Sequence, residues 1–359
     1  MNTISHFIKC QSYSINQLSI YSFFEFKVLT HLYSSIYNHI FNTSNFFTYT
    51  NMYYTLGGLD LIYKFPYFGY KTECKEIPLT FPPQHQSVQP GLEYIMCPRP
   101  IFNNPDYIGT GKLKNKVALI TGGDSGIGRA VSLIFAKEGA DIVIVYLNEY
   151  VDATETKALV EAEGRRCVLI AGDLREESFC KKIVEDTISV FGQLDVLINN
   201  AGVQFPQNSL SDITSKQLED SFRTNIFPLF YITKAALPHL KTGSTIINTA
   251  SNAAYRGAEL LIDYASTKGA IVSFTRSLAL SLVSKGIRVN GVVPGPIWTP
   301  LQPSSYSAEY ITTFGLYTPM KRAGQPVELA PIYVYLASDD STYVTGQFIH
   351  VDGGSYLSS

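Results

Sequence analysis

The stretch Val117-Ala-Leu-Ile-Thr-Gly-Gly-Asp-Ser-Gly-Ile-Gly-Arg129 decides the fold of this chain. A short apolar run ends at Thr121 and is followed by four closely spaced glycines, of which Gly122, Gly126 and Gly128 form the pattern. A glycine turn between a strand and a helix lets the backbone approach a pyrophosphate, and the helix N-terminus supplies free N–H groups. The pattern therefore predicts a dinucleotide-binding loop, although its G-x-x-x-G-x-G spacing differs from the common G-x-G-x-x-G.

Downstream of this loop, short β-branched runs alternate with helical stretches. The predicted strands are Val117–Thr121, Ile142–Leu147, Cys167–Ala171, Val196–Asn199, Thr245–Asn248, Arg288–Val293 and Gln347–Val351. The helical stretches between them include Gly128–Lys137, Ala153–Glu163, Glu177–Phe191 and Tyr264–Ser284. Near-continuous apolar strands that alternate with helices indicate a parallel sheet covered on both faces. We predict an α/β domain over residues 113–359: a doubly wound, Rossmann-like, mostly parallel seven-stranded sheet.

The sequence before this domain has a different character. Residues 1–80 are rich in Phe, Tyr, Asn, Ile and Ser, and they show no sustained apolar periodicity. The first arginine is Arg99, whereas organelle transit peptides are rich in arginine. We leave three interpretations of this irregular extension open: a disordered segment, an unusual targeting segment, or translated non-coding sequence. Residues 81–112 contain frequent Pro and Gly, which predicts an extended arm on the surface of the domain.

Composition excludes several classes of function. The net charge of the 359 residues is −2, which argues against a nucleic-acid partner and against a polybasic membrane-surface protein. The five cysteines are scattered and form no C-x-x-C pair, so we expect neither a disulfide framework nor a metal site. Because nucleic acid and a membrane surface are disfavoured as partners, we expect this chain to act on a small molecule.

Cofactor specificity is read at the end of the second strand. An acid there favours the ribose of NAD, and a nearby Arg favours the 2′-phosphate of NADP. Tyr146 stands where the acid would be expected, and no Arg or Lys follows directly. We predict a weak preference for NADP(H), with NAD(H) as the alternative. Asp173, after the third strand, is interpreted either as a ligand of the adenine amine or as a helix cap.

A Tyr-x-x-x-Lys pair is the candidate catalytic motif, because residues four apart lie on one face of a helix. A fixed ammonium group near a tyrosine lowers the pKa of its hydroxyl, which could then exchange a proton with a substrate oxygen. The spacing occurs at Tyr67/Lys71, Tyr264/Lys268 and Tyr317/Lys321. Tyr264/Lys268 alone opens a clean helical stretch, since the first pair lies in the extension and Pro319 interrupts the third.

Further polar residues are expected near this pair. Ser251 follows the fifth strand, where its hydroxyl could hold the substrate oxygen; a turn or cap role is the alternative. Asn199-Asn-Ala-Gly202 ends the fourth strand, and its small residues would let a nicotinamide riboside pass. Asn225 lies inside a helical pattern although Asn is a poor helix former, so it could bind a water that relays protons to Lys268.

These motifs together resemble the classical short-chain dehydrogenase/reductase family from about Lys112 to Gly354. Within it, Pro82-Pro-Gln, Gln89-Pro-Gly91 and Pro319-Met-Lys-Arg-Ala-Gly-Gln-Pro326 resemble the plant group of glucose and ribitol dehydrogenase homologs, which includes chloroplast NADPH-dependent aldehyde reductases. The resemblance implies a catalytic tetrad of Asn225, Ser251, Tyr264 and Lys268. The cofactor contacts that we expect are Thr121, Gly122, Asp124, Ser125, Gly126, Ile127, Gly128, Tyr146, Asp173, Leu174, Asn200, Ala201, Gly202, Lys268, Pro294, Gly295, Ile297 and Thr299.

The resemblance implies reduction of aldehydes, or the reverse reaction on sugar alcohols, by a homodimer or homotetramer in the chloroplast or the cytoplasm. The helix Tyr264–Ser284 is apolar on several faces, which predicts burial, in part against another subunit. An aromatic segment after Pro296 predicts a substrate loop that favours medium-chain or aromatic aldehydes; ordinary packing is the alternative. Its residues are Trp298, Tyr306, Tyr310, Phe314 and Tyr317. A cofactor-binding protein without turnover and a 3-oxoacyl carrier reductase are the competing functions.

Overall fold

The seven strands of the computed structural model, which describes residues 78–357, form one sheet in the order β3-β2-β1-β4-β5-β6-β7. All six neighbouring pairs of strands are parallel, so the sheet is wholly rather than mostly parallel. The strands are β1 (Val117–Thr121), β2 (Asp141–Tyr146), β3 (Cys167–Ala171), β4 (Val196–Asn199), β5 (Thr245–Thr249), β6 (Arg288–Pro294) and β7 (Phe348–Val351). The strand order reverses between β1 and β4, which places a ligand crevice beyond their carboxyl ends.

Helices connect these strands. They are α1 (Gly126–Lys137), α2 (Tyr150–Ala162), α3 (Glu177–Phe191), α4 (Ser215–Asn225), α5 (Phe227–Ala236), α6 (Ala253–Arg256), α7 (Ile262–Leu282), α8 (Ala308–Ile311) and α9 (Pro326–Ala337). None of the helices within residues 78–357 is both long and apolar enough to cross a membrane.

Each face of the sheet buries its own apolar core because successive strand side chains point to opposite sides. Ile120 of β1 packs into a cluster that includes Phe135 of α1 and Leu329 of α9. Its neighbour Leu119 packs into a second cluster that includes Ile183 of α3 and Ile232 of α5. The predicted two-sided coverage of the sheet is confirmed.

The helix boundaries differ from the predicted ones by a few residues. α1 begins at Gly126, not Gly128, and α2 runs from Tyr150 rather than Ala153. α7 begins two residues early and ends at Leu282, because a 3-10 turn follows and closes at Gly286 with a φ of +70°. α7 is not buried all round within a single chain, since the side chain of Leu280 is 81% exposed. The expectation that part of this surface packs against another subunit stays a prediction.

The arm, residues 81–112, contains no helix or strand and is fastened to the domain by specific contacts. The ring of Phe81 stacks on that of Trp298 at a centroid distance of 3.8 Å, and both side chains are buried. The indole N–H of Trp298 donates to the carbonyl oxygen of Pro98 over 2.9 Å. The predicted extension, residues 1–80, lies almost wholly outside the described residues, as does the Tyr67/Lys71 pair.

Candidate active site

The glycine loop between β1 and α1 leaves no room for side chains at two positions. A Cβ atom on Gly128 would lie 1.8 Å from the carbonyl oxygen of Gly122, so the first turn of α1 packs directly on the loop. Gly126 has a φ of +52°, a left-handed conformation that favours glycine. A Cβ atom there would lie 3.0 Å from the methyl carbon of Thr299. These contacts fix the shape of the loop.

The N-terminus of α1 offers donors to an anion. Ser125 precedes the helix and makes no side-chain capping hydrogen bond. The N–H groups of Ile127 and Gly128 donate to no residue within 78–357, whereas the N–H of Gly126 is taken by the carboxylate of Glu93. Two adjacent free N–H groups beside a close backbone approach fit the pyrophosphate of a dinucleotide.

The hydroxyl of Thr121 joins the ends of β1 and β4. It accepts from the backbone N–H groups of Asn200 (2.9 Å) and Ala201 (3.1 Å) and donates to the carbonyl oxygen of Ile198 (3.3 Å). The side-chain nitrogen of Asn200 (Nδ2) in turn donates to the carbonyl oxygens of Thr121 and Gly122, each over 3.2 Å. The two loops that border the crevice are therefore held in a fixed relation to each other.

A cleft with a volume of about 960 Å3 runs along the carboxyl edge of the sheet. It brings together most of the predicted site residues: Gly122, Asp124, Ser125, Gly126, Ile127, Tyr146, Asp173, Leu174, Asn200, Ala201, Gly202, Ser251, Tyr264, Lys268, Pro294, Gly295, Ile297 and Thr299. Three predicted residues do not line it, namely Thr121, Gly128 and Asn225. The side chains of Thr121 and Asn225 bond to neighbouring backbone, and their contact with a bound molecule stays a prediction. Gly128 can meet a cofactor only through its backbone N–H group.

Carboxylates dominate one end of the cleft, around Tyr146. Asp124 is buried in the glycine loop, and its burial, together with the charge of Glu149, raises its pKa to about 7. The carboxylate of Glu149, also buried, accepts from the N–H groups of Leu147 (3.0 Å) and Asn148 (2.8 Å). The cleft is therefore acidic near Tyr146. The sequence alone did not predict this, because a tyrosine stands at the position where an acid was expected.

Asp173 lines the cleft with its carboxylate already paired. Arg175 donates to it from Nε (2.9 Å), from Nη2 (2.6 Å) and from its backbone N–H (2.9 Å). Burial acts to raise the pKa of Asp173, but the bonds from Arg175 outweigh it and the pKa is lowered. The alternative role as a helix cap is wrong, because α3 begins after Glu176.

Tyr264, Lys268 and Ser251 lie together in the wall of the cleft. Tyr264 lies in the first turn of α7 and Lys268 one turn later, and both side chains are more than nine-tenths buried. The Lys268 ammonium is 5.5 Å from the centre of the Tyr264 ring and donates to the carbonyl oxygen of Thr249 over 2.9 Å. The other Tyr-x-x-x-Lys pair in the described part of the chain, Tyr317/Lys321, is not helical, since Lys321 has a φ of +57°.

The pKa values of this pair are shifted by burial rather than by their mutual attraction. Burial raises the pKa of Tyr264 to about 12, and the hydroxyl of Ser251 only partly opposes this. Burial also lowers the pKa of Lys268 to about 8. The predicted lowering of the Tyr264 pKa is wrong, because desolvation disfavours the phenolate more strongly than its surroundings stabilise it. At neutral pH the tyrosine therefore carries its proton and the lysine its charge.

Asn225 supports the site through the backbone. It is the last residue of α4, and the single residue Ile226 separates it from α5, so it does not lie inside a continuous helix. Its side-chain amide accepts from the N–H of Val203 (2.9 Å) and donates to the carbonyl of Val203 (2.9 Å) and the hydroxyl of Thr267 (3.1 Å). These three bonds make the side chain a positioning group for the backbone of Val203. Its oxygen can accept one further hydrogen bond, so the predicted contact with a proton-relaying water stays a prediction.

Residues that sequence patterns did not single out complete the site. Thr249 ends β5; its carbonyl holds Lys268, and its hydroxyl is 2.7 Å from that of the buried Tyr333. Gln204 and Gln302 are buried, and their side-chain amides are linked over 3.4 Å. The position of Thr249 at the end of a mostly apolar strand was a usable signal, whereas the two glutamines are 98 residues apart and no sequence pattern links them.

The aromatic segment after Pro296 contributes to the cleft, with one exception. Tyr306, Tyr310, Phe314 and Tyr317 line it. Trp298 does not, because it is fully buried beneath the arm, where ordinary packing was the correct interpretation. The aromatic segment therefore forms a wall of the cleft, and its first aromatic residue, Trp298, is anchored in the interior.

Comparisons with known proteins agree with this geometry. A family model described as enoyl-(acyl carrier protein) reductase matches residues 122–356. The uncharacterized oxidoreductase YhxC of Bacillus subtilis is 62% identical over 278 residues, which are 77% of this chain and 97% of that protein. The NADPH-dependent aldehyde reductase 1, chloroplastic, of Arabidopsis thaliana is 50% identical over 283 residues, 77% of this chain and 98% of that protein.

A solved structure shows the same architecture. The short chain dehydrogenase of Burkholderia cenocepacia in complex with NADP superposes with a TM-score of 0.63 and 29% identity, over 68% of this chain and 98% of that one. The family model covers more than half of the chain, and the relatives match almost over their whole lengths. The chain belongs to the short-chain dehydrogenase/reductase family of nicotinamide-dependent oxidoreductases.

Proposed function

We propose that this oxidoreductase reduces aldehyde carbonyls to alcohols, or runs the reverse reaction on sugar alcohols, with Tyr264 as the acid or base. The observation that carries the proposal is the buried, protonated Tyr264 beside Lys268 and Ser251 in a cleft that also holds a dinucleotide loop. The name of the Arabidopsis relative, an NADPH-dependent aldehyde reductase, supports the aldehyde class.

Ser251, Tyr264 and Lys268 have different roles in the proposed reaction. A bound reduced nicotinamide supplies the hydride. Ser251 and Tyr264 donate hydrogen bonds to the carbonyl oxygen, and Tyr264 then gives it a proton. The Lys268 ammonium stabilises the resulting phenolate, which its buried surroundings would otherwise disfavour. Gly202 leaves room beside this group, since a Cβ atom there would be 3.6 Å from the nitrogen of Lys268.

The pH dependence of the reaction follows from these groups. Reduction needs a proton on Tyr264 and a charge on Lys268, whose pKa values are about 12 and about 8. We expect kcat/KM for reduction to be level below pH 8 and to fall as Lys268 loses its proton above it. The reverse reaction needs the phenolate and should rise with pH. A reductive profile that stays level to pH 10 would contradict the role of Lys268.

The preference for NADP(H) over NAD(H) is part of the proposal. It is supported by the name of the Arabidopsis relative and by the NADP in the Burkholderia structure. The carboxylate of Glu149 acts against it, and so does that of Asp124 when it is ionised above its pKa of about 7, because both would repel a 2′-phosphate bound near Tyr146.

Replacing Glu149 tests this electrostatic effect. Glu149→Gln removes one negative charge next to Tyr146, so the ratio of kcat/KM with NADPH to kcat/KM with NADH should rise roughly ten-fold. Glu163→Gln removes the same charge at the exposed C-terminal end of α2 and should leave the ratio unchanged. Equal ratios in the Glu149 variant and the wild type would show that these carboxylates do not select the cofactor.

The substrate class is tested with a panel of carbonyl compounds. We expect hexanal-like and aromatic aldehydes to be reduced more efficiently than glucose is oxidised or ribitol converted, because tyrosine rings wall the cleft. Better turnover of glucose or ribitol would overturn the aldehyde preference while leaving the mechanism intact. Efficient reduction of a 3-oxoacyl thioester instead would favour the acyl carrier reaction. Tight cofactor binding with no turnover of any member would favour a binding protein.

We also propose a homodimer or homotetramer, with location in the chloroplast or the cytoplasm. Apolar surface is exposed on two neighbouring helices: Phe230 of α5 is 54% exposed and packs against Phe274 of α7, and Leu280 lies further along α7. A second copy would bury this surface. Gel filtration should give a mass above that of the monomer, and a clean monomer would contradict the proposal.

A further inference from the structure

The arm forms part of the wall of the cleft instead of only wrapping the surface. Gln89, Pro90 and Gly91 line the cleft. The side-chain nitrogen of Gln89 donates to the carbonyl oxygen of Gln204 over 2.6 Å, and its oxygen accepts from the N–H of Gln204 over 3.2 Å. A Cβ atom on Gly91 would lie 2.4 Å from the carbonyl oxygen of Pro300. The arm is thus packed tightly against the cleft at this point.

Two residues further along the arm, Glu93 reaches the cofactor loop. One carboxylate oxygen accepts from the N–H of Gly126, the first residue of α1, over 2.6 Å. The other lies 3.0 Å from the guanidinium of Arg129. Both side chains are completely buried. The arm therefore touches the helix terminus that carries the free N–H groups of Ile127 and Gly128.

A buried ionic cluster holds Glu93 in this position. Arg129 also pairs with Asp152 (3.2 Å) and with Glu155 (3.1 Å). The carboxylate of Asp152 accepts from the backbone N–H groups of Glu93 (2.7 Å) and Tyr94 (3.0 Å), which ties the arm down on both sides of the glutamate. Burial raises the pKa of Glu93, and the charge of Arg129 opposes this rise. The ionic cluster therefore keeps the carboxylate of Glu93 in contact with Gly126 of the glycine loop.

We propose that Glu93 is a positioning residue for the cofactor. By fixing Gly126 in its left-handed conformation, it holds the next two N–H groups where a pyrophosphate can accept from them. This inference rests on the proposed function, since it assumes that the cleft binds a nicotinamide dinucleotide. The arm then belongs to the cofactor site, although it precedes the dinucleotide fold in sequence.

A pair of variants separates positioning from charge balance. Glu93→Ala and Glu155→Ala each remove one carboxylate from Arg129, but only Glu93 touches Gly126. We expect Glu93→Ala to raise KM and Kd for NADPH or NADH about ten-fold or more, with kcat at saturating cofactor changed less than about three-fold. The Kd of Glu155→Ala should change less than about three-fold, because Glu155 is partly exposed and Arg129 keeps its contacts with Glu93 and Asp152. Equal changes in both variants would overturn the inference.

A milder variant covers the case in which Glu93→Ala does not fold. Glu93→Gln keeps the size of the side chain but has one accepting oxygen, so it can serve either Gly126 or the two arginines, Arg99 and Arg129, but not both. Kd should therefore rise by a smaller factor. Hydrogen exchange of the amides in residues 122–129 should also become faster. Unchanged Kd and exchange would overturn the inference. A wild-type chain that binds neither NADPH nor NADH would instead contradict the proposed function itself.

Discussion

Tyr264→Phe is expected to lower kcat for aldehyde reduction by about 10²- to 10⁴-fold, the usual contribution of a general acid. The substitution removes one oxygen from a fully packed side chain and leaves the ring in place. Because Lys268 donates to the carbonyl oxygen of Thr249 and not to Tyr264, its position should not change. Cofactor Kd should stay within about three-fold of wild type, so the loss should fall on the chemical step.

The matched control for this variant is Tyr343→Phe, since the side chain of Tyr343 is completely exposed. It should retain wild-type kcat and KM. Aldehyde reduction that survives in Tyr264→Phe would show that another group donates the proton. A parallel loss in Tyr343→Phe would show that the assay responds to something other than the catalytic hydroxyl.

Gly128→Ala is expected to abolish measurable cofactor binding, with Kd raised about 100-fold or more. The added methyl group would lie 1.8 Å from the carbonyl oxygen of Gly122 and 2.9 Å from the Cα of Gly123. Both contacts are with backbone, so the loop and the first turn of α1 must separate. Overpacking of this kind also costs about 1–3 kcal/mol of folding free energy. Isothermal titration with NADPH and with NADH measures the binding, and thermal unfolding measures the stability.

Gly164→Ala is the control that separates stability from binding. Gly164 has a φ of +73°, and a methyl group added to it would meet no atom within 4 Å, so alanine there causes backbone strain alone, about 1–2 kcal/mol. It lies in the turn between α2 and β3, outside the cleft. The two variants should lose similar stability, but only Gly128→Ala should lose the cofactor. Cofactor binding that persists in Gly128→Ala would contradict the role given to the loop.

The fold was predictable because the signals are local. Apolar strands buried on both faces have a distinctive composition, so β1, β3 and β4 have the predicted bounds. The glycine loop is one continuous stretch, and its place between an apolar strand and a helical stretch identified it as a dinucleotide-binding loop. Helix ends were less accurate, because α7 changes into a 3-10 turn after Leu282 that closes at the left-handed Gly286, and apolar periodicity does not mark that change.

The site was predictable only where a residue's neighbours in sequence define its environment. Tyr264 could be separated from the other spaced pairs because a helix begins beside it. The contact of Glu93 with Gly126 joins residues 33 apart, and no periodic pattern marks it. The direction of the Tyr264 pKa shift was also beyond the sequence, since it depends on how burial compares with the 5.5 Å separation of the ammonium and the ring. Contacts between distant segments, and the balance between competing electrostatic effects, become visible only in the three-dimensional structure.

Deuterium transfer tests most directly whether the cleft brings a nicotinamide cofactor and an aldehyde together, with Tyr264 supplying the proton. The wild-type chain and Tyr264→Phe are each incubated with an aldehyde and with NADPH that carries deuterium at both C4 positions, and the alcohol is analysed by mass spectrometry. We predict that the wild-type chain transfers deuterium to the carbinol carbon, and that Tyr264→Phe forms almost no alcohol although it binds NADPH normally. Alcohol without deuterium, or equal yields from the two chains, would contradict the account.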